Sequence, residues 1–167
     1  RGGADNITAL VISMSRHHQR INASMPTKAL RKFSFLEGCT LDELRAFWNL
    51  VEVRSFAAGD TIFSEGEAAD DFYLLAEGMV ELHRADRCLA VIYAGEPFGG
   101  MALTAENQRT TTAIAIDECK ALALRQHRFF QLIREQSPLA NHMLLRMFAN
   151  AVQIVQKQNI KIADIPH

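Results

Sequence analysis

Residues 51–83 run VEVRSFAAGDTIFSEGEAADDFYLLAEGMVELH, and the reading of this stretch decides the fold. Val51–Phe56 alternates, with Val51, Val53 and Ser55 on one face and Glu52, Arg54 and Phe56 on the other. Such period-two patterning predicts a half-buried strand. Gly59-Asp60 predicts a turn, Thr61–Ser64 a second strand, and Gly66 another turn. Phe72–Ala76 is a continuous apolar run, and Glu77-Gly78 turns it into Met79–His83. The same rhythm continues outward. Ala85–Arg87 predicts a tight turn into Leu89–Tyr93, while Thr111–Ile116 and Ala121–Leu124 are strands joined across Asp117-Glu118. Gly59, Gly66, Gly78, Gly95, Gly99 and Gly100 all fall in turns or loops of this region. Short strands at regular spacing argue for an antiparallel sandwich or barrel.

Helical signals flank the strands on both sides. Thr40-Leu41-Asp42-Glu43 has the form of a capping box, in which hydroxyl and carboxylate exchange bonds with two free backbone donors. Leu41, Leu44, Phe47 and Trp48 follow at helical spacing, so a short amphipathic helix is expected to about Leu50. Ahead of it, Pro26 interrupts any helix, and Lys28–Phe33 predicts one short turn. After the strands, His127–Gln136 predicts a helix, and Ser137-Pro138 supplies an N-cap and first-turn proline for a longer one.

Composition narrows the function classes. The chain has 167 residues, 49% apolar and 22% charged, enough for one domain with a sizeable core. No run approaches the roughly 18 apolar residues of a membrane span, so no membrane partner is expected. A net charge of −1 gives no case for nucleic acid. Cys39, Cys88 and Cys119 lie far apart and form no C-x-x-C pair, which argues against a disulfide framework and fits a reducing cytoplasm. No nucleophile–base pair or HExxH-type site is visible, so no catalytic residue is assigned and the chain itself is not expected to be an enzyme.

The order A-G-D-x-I-F-x-x-G, then Y-L-L-x-x-G-x-V-x-L, then P-F-G-G-M-A-L, then R-T-T resembles the cyclic-nucleotide-binding domain. That family includes the catabolite activator protein and the regulatory subunit of cAMP-dependent kinase. The match spans about Phe35 to Phe148. It implies a mainly β fold with flanking helices: an antiparallel, jelly-roll-like β-roll with a long C-terminal helix that lids the pocket. It also implies a cyclic nucleotide as partner. The family's phosphate cassette maps onto Phe98, Gly99, Gly100, Met101, Ala102 and Leu103, with Arg109 in the arginine position and Thr110 and Thr111 after it. The chemistry is coherent, since a helix start offers N–H groups and a positive dipole end to a phosphate. An arginine adds charge-assisted bonds to the same group.

Arg109 is the only basic residue between Arg87 and Lys120, and it needs an anion: a ligand phosphate, or Glu106 three residues back. Gly100 stands where the family has the glutamate that accepts the ribose 2′-hydroxyl. Two readings stay open: a weakened or altered nucleotide site, or a degenerate pocket in a domain that serves contacts between chains. In the family, a hydroxyl at the Thr110 position is associated with guanine recognition, and the choice between cAMP and cGMP stays open. Leu144, Met147 and Phe148 are candidates for the lid, and Ala151, Ile154 and Val155 for a homodimer seam on the same helix.

Gly2-Gly3-Ala4-Asp5-Asn6-Ile7-Thr8 and the apolar residues to Ile12 resemble the last motif of the metal-dependent type 2C serine/threonine phosphatases. There the aspartate at the position of Asp5 is a metal ligand, and hard cations such as Mg²⁺ and Mn²⁺ suit a carboxylate. The remaining ligands of that family would lie upstream, so the resemblance implies a phosphatase domain in a parent protein that this chain would regulate, with Mg²⁺ or Mn²⁺ there and no cofactor here. Arg1 in place of a methionine is read in the same way, as the start of a piece. The expected organisation is residues 1–14 as a phosphatase strand, 15–34 as a linker and 35–165 as the binding domain. The linker region is basic (Arg16, Arg20, Lys28, Arg31 and Lys32, with His17 and His18) and reads as solvated. A transcription factor would need a helix-turn-helix beyond the long helix, and with about ten residues after Lys157 that reading is not expected unless the sequence is cut there.

Overall fold

The computed structural model describes residues 26–104 and 108–163, with the side chains of 154, 155 and 157–163 left aside. The expected phosphatase strand at 1–14, with Asp5, lies outside the described residues. So do His17, His18 and Glu106.

The chain runs α1 (Thr27–Leu30), a 3₁₀ turn (Ser34–Leu36), α2 (Leu41–Trp48), then β1 (Val51–Phe56), β2 (Thr61–Phe63), β3 (Asp71–Glu77), β4 (Met79–Arg84) and β5 (Arg87–Tyr93). It continues through β6 (Pro97–Phe98), a second 3₁₀ turn (Gly100–Leu103), β7 (Thr112–Ala115), β8 (Cys119–Arg125), α3 (Gln126–Arg134) and α4 (Pro138–Ala163). Two four-stranded antiparallel sheets form, in the orders β1-β8-β3-β6 and β2-β7-β4-β5. This is the expected roll with flanking helices. Most boundaries shift by one or two residues. β3 begins at Asp71, not Phe72; β8 begins at Cys119, not Ala121; β5 takes in Arg87 and Cys88. Ser64, Thr111 and Ile116 fall outside β2 and β7. The helix at 41 ends at Trp48 rather than Leu50, and the helix expected over His127–Gln136 occupies Gln126–Arg134 because Gln136 turns left-handed at φ 52°.

The first sheet is covered on both faces. Along β3 and β8 the alternate residues Phe72, Leu74, Leu122 and Leu124 join a core with the helices. Tyr73, Leu75, Ala121 and Ala123 point the other way, into the roll. A strand buried on both faces reads as an unbroken apolar run, which explains residues 72–76. The helical core also takes Ala29, Leu30 and Phe33, so packing begins ahead of the expected linker boundary at 34. Thr40 and Glu43 form the capping box: the Glu43 N–H donates to Thr40 Oγ1 at 3.2 Å, and the Thr40 N–H donates to Glu43 Oε2 at 2.7 Å.

α4 starts at Pro138 and buries Leu139, Ala140 and Met143 in the helical core. Further along, the His142 Nε2–H donates to the Glu37 carbonyl, and Arg146 pairs with Glu37 at 2.9 Å and donates to the Ser34 carbonyl. No helix of the described residues is long and apolar enough to cross a membrane. Cys39, Cys88 and Cys119 are all free thiols.

Candidate functional site

β6 is two residues long, pairing Phe98 with Tyr73 and Pro97 with Leu74. Phe98 is buried inside the roll and stacks on Tyr73, with ring centroids 4.9 Å apart. Gly99 then takes the left-handed conformation, at φ +71°. A Cβ there would stand 2.9 Å from Arg109 Nη1 and 3.3 Å from the Asp71 carbonyl. Only glycine satisfies both the dihedral and the close approach. The expected cassette helix is a single 3₁₀ turn, Gly100–Leu103, closed by the Ala102 N–H donating to the Gly99 carbonyl at 3.1 Å. Ala102 and Leu103 bury into the helical core and Met101 packs beside them, so this turn ties the site to the helices.

Arg109 reaches the same turn from the other side. Its backbone is clamped, with its N–H donating to the Glu67 carbonyl at 2.8 Å and its carbonyl accepting from the Gly66 N–H at 2.8 Å. Its side chain folds inward and the residue is 5% exposed. Nη1 donates to the Gly99 carbonyl at 3.1 Å, and Nη2 donates to the Asp71 carbonyl at 2.7 Å. The guanidinium carbon lies 4.0 Å from the Phe63 ring centroid and 5.9 Å from that of Tyr73. Nε has no partner among the described residues. Burial pulls the Arg109 pKa down, with Tyr73 and Asp71 pulling the other way. The group stays a cation, because arginine does not lose its proton in proteins.

Asp71 is buried, but its carboxylate is committed to Arg54 Nη1 at 2.8 Å. Burial opposes the charge on Arg54, yet Tyr73 and Asp71 outweigh it and leave that pKa raised. Arg109 therefore forms no ion pair among the described residues. Carbonyl dipoles and two aromatic faces hold it where a counter-ion would otherwise stand.

Phe98, Gly99, Gly100 and Arg109 come together as the sequence expects, and Met101, Ala102 and Leu103 serve as the anchor behind them. Thr110 is exposed next to Arg109 in the chain, and Thr111 is half-buried. A Cβ on Gly100 would meet nothing within 4 Å, so the place of the missing glutamate is open space. Among the lid candidates, Leu144 and Phe148 are exposed and Met147 packs against the helical core. Of the seam candidates, Ala151 is exposed, and the Ile154 and Val155 side chains lie outside those described. Sequence reasoning missed Phe63, Tyr73, Asp71 and Arg54 as parts of the site. Asp71 opens an apolar strand and Arg54 lies on β1, but nothing adjacent in sequence pairs them.

Comparison with known proteins agrees with this fold. Residues 53–136 match the model of the family described as the cyclic nucleotide-binding domain. The chain is 31% identical over 121 residues to the cyclic AMP receptor protein of Thermus thermophilus, covering 70% of this chain and 56% of that protein. It is 27% identical over 130 residues to human cGMP-dependent protein kinase 2, covering 78% of this chain and 17% of the kinase. The crystal structure of the Thermus thermophilus catabolite activator protein superposes with a TM-score of 0.65 at 28% identity, over 77% of this chain and 62% of that one. The chain thus spans about half of the first relative and a small part of the second.

Proposed function

Because this chain belongs to the cyclic nucleotide-binding domain family, we propose that it is a regulatory module that takes cAMP or cGMP on the Phe98–Leu103 turn and Arg109. The observation that carries this reading is the buried Arg109 guanidinium, which among the described residues has no carboxylate partner and an unsatisfied Nε. A buried charge without a counter-ion is costly unless something compensates it. A cyclic phosphate seated over the Gly99-Gly100 turn supplies the missing anion. Arg109 would then exchange its carbonyl partners for phosphate oxygens, whose negative charge and paired acceptors suit the guanidinium fork. The relatives' names point to both nucleotides, one a cyclic AMP receptor and one a cGMP-dependent kinase. Thr110 favours neither decisively.

Leu144 and Phe148 are exposed, so ligand binding would draw the far part of α4 toward the pocket and bias a two-state equilibrium. Regulation of a type 2C phosphatase in the same protein is the further step, and it rests on the Gly2–Ile12 resemblance alone. In that setting the module binds and signals rather than catalyses, and it works in the cytoplasm. Gly100 favours a second reading, a pocket that no longer takes nucleotide in a domain that joins two chains.

Titration calorimetry with cAMP and cGMP separates the two. Saturable heat below millimolar ligand, abolished by Arg109→Ala, is expected. No heat up to millimolar ligand removes the sensing function and leaves the interaction module. Binding that survives Arg109→Ala places the phosphate elsewhere.

A further inference from the structure

Far from the nucleotide turn, Cys39, Glu43 and His142 bring three metal-ligating groups together where α2 meets α4. One ligand atom from each lies within 4.8 Å of the other two. We propose that these residues form a site for a zinc-like divalent cation that ties the first turns of α4 to the start of α2. The donor set of thiolate, imidazole and carboxylate suits a borderline-soft ion, with water as the fourth ligand. Tetrahedral donors stand about 3.5 Å apart, given bonds of about 2.0–2.3 Å. Closing from within 4.8 Å needs a movement of about 1 Å.

Two details beyond proximity support a site. The His142 Nε2–H donates to the Glu37 carbonyl at 2.9 Å, which fixes the tautomer and leaves Nδ1 with its lone pair free. Metal-binding histidines are held by this kind of outer bond. Glu43 is fixed through Oε2 by the capping box, which leaves Oε1 for a ligand.

The Cys39 thiol is buried. Its pKa is pushed up to about 11, by burial first and then by the Glu43 carboxylate, with Arg146 and Arg31 pulling the other way. Two charges would oppose a cation: Arg146, which is paired with Glu37 at 2.9 Å, and Arg31, whose Nη1 donates to the Cys39 carbonyl at 3.4 Å. As the metal–sulfur bond forms, the thiol proton passes to solvent. A second cluster, Glu81, His83 and Cys88, lies on the β4–β5 hairpin, but there Glu81 and His83 already pair with each other at 2.8 Å and the thiol is exposed.

The test uses the full chain, stripped with a chelator and then titrated with Zn²⁺ against a competing chromophoric chelator and with Co²⁺ by absorption. One equivalent is expected to bind, with a thiolate-to-cobalt charge-transfer band and a rise in Tm on zinc addition. Cys39→Ser should abolish the band. His142→Gln, on a half-buried ring whose loss leaves the core intact, should weaken zinc by at least about tenfold and remove the Tm shift. Paired changes His83→Gln with Cys88→Ser, and His17→Gln with His18→Gln, should leave binding unchanged. Absence of the band in the unaltered chain overturns the proposal. So does a band that persists in Cys39→Ser, or binding that is lost with either control pair.

Discussion

At the scale of single residues, the site turns on two adjacent glycines with different physics. Gly99 is required, because its left-handed backbone sits 2.9 Å (as a would-be Cβ) from Arg109. Gly100 is not, because a side chain there would point into open space. Gly100→Glu should therefore fold normally and restore an acceptor for the ribose hydroxyl. A hydrogen bond of this kind, worth about 1–3 kcal/mol, is expected to tighten cyclic nucleotide roughly tenfold to a hundredfold by calorimetry. Unchanged affinity would mean that the ribose does not lie over Gly100. Cys39 gives a second residue-scale expectation. Its thiol, raised by burial to about 11 in the fold, titrates at about its ordinary value of 9.0 once unfolded. The folded state thus holds the proton to higher pH, so its contribution is present below about pH 9 and is lost as pH rises toward 11. The urea midpoint of the metal-free protein should fall across that window, by on the order of 2 kcal/mol in stability, and Cys39→Ala should flatten the fall. An equal fall in both proteins would assign the alkaline loss to other groups.

At the scale of elements, the β3–β4 connection shows how tightly a turn can be specified. Gly78 has φ +87°, and a Cβ on it would lie 2.6 Å from Cys119 Sγ and 2.7 Å from both Asp117 Oδ1 and the Glu118 carbonyl. Asp117 in turn accepts from the Met79 N–H at 2.8 Å. Gly78→Ala combines a left-handed alanine with an overpacked contact and should cost about 2–4 kcal/mol, read as a lower urea midpoint and Tm. Gly59→Ala, where a Cβ meets nothing within 4 Å, keeps only the dihedral penalty and should cost less. Elements of this kind were legible in advance because glycine, proline and the capping box act locally. The helix start at Thr40, the strand from 51 to 56 and the turn at 78 all follow from nearby residues. β6 was not legible, because a two-residue strand carries no periodicity and exists only through its pairing with Tyr73 and Leu74. The Arg54–Asp71 pair was hidden for the same reason, since β1 and β3 both flank β8 and meet only once the sheet is assembled. The burial of Arg109 was equally invisible, as nothing adjacent in sequence says that its partners are carbonyls of Gly99 and Asp71.

At the scale of the whole molecule, charge and apolar surface are both unevenly placed. Residues 1–36 carry six basic and one acidic residue, a net +5, while the remainder carries twelve basic and eighteen acidic, a net −6. A negative domain repels an anionic nucleotide except where Arg109 concentrates positive potential. Along α4, Leu145 and Phe148 are 70% and 71% exposed, with Leu144 and Val152 on the same side. If this face joins two copies, sedimentation should give a dimer for the unaltered chain, and Phe148→Glu should give a monomer. A monomer in both cases removes the homodimer. The strand order carries one more consequence, for how the molecule is made. β8 is the central partner of both β1 and β3, yet it lies more than sixty residues after β1 in the chain. During synthesis, the first sheet has no middle until residues 119–125 emerge, and β1 and β3 wait with open edges. The domain therefore closes late and all at once, and a chain released before Cys119 exposes two strand edges rather than a smaller stable fold.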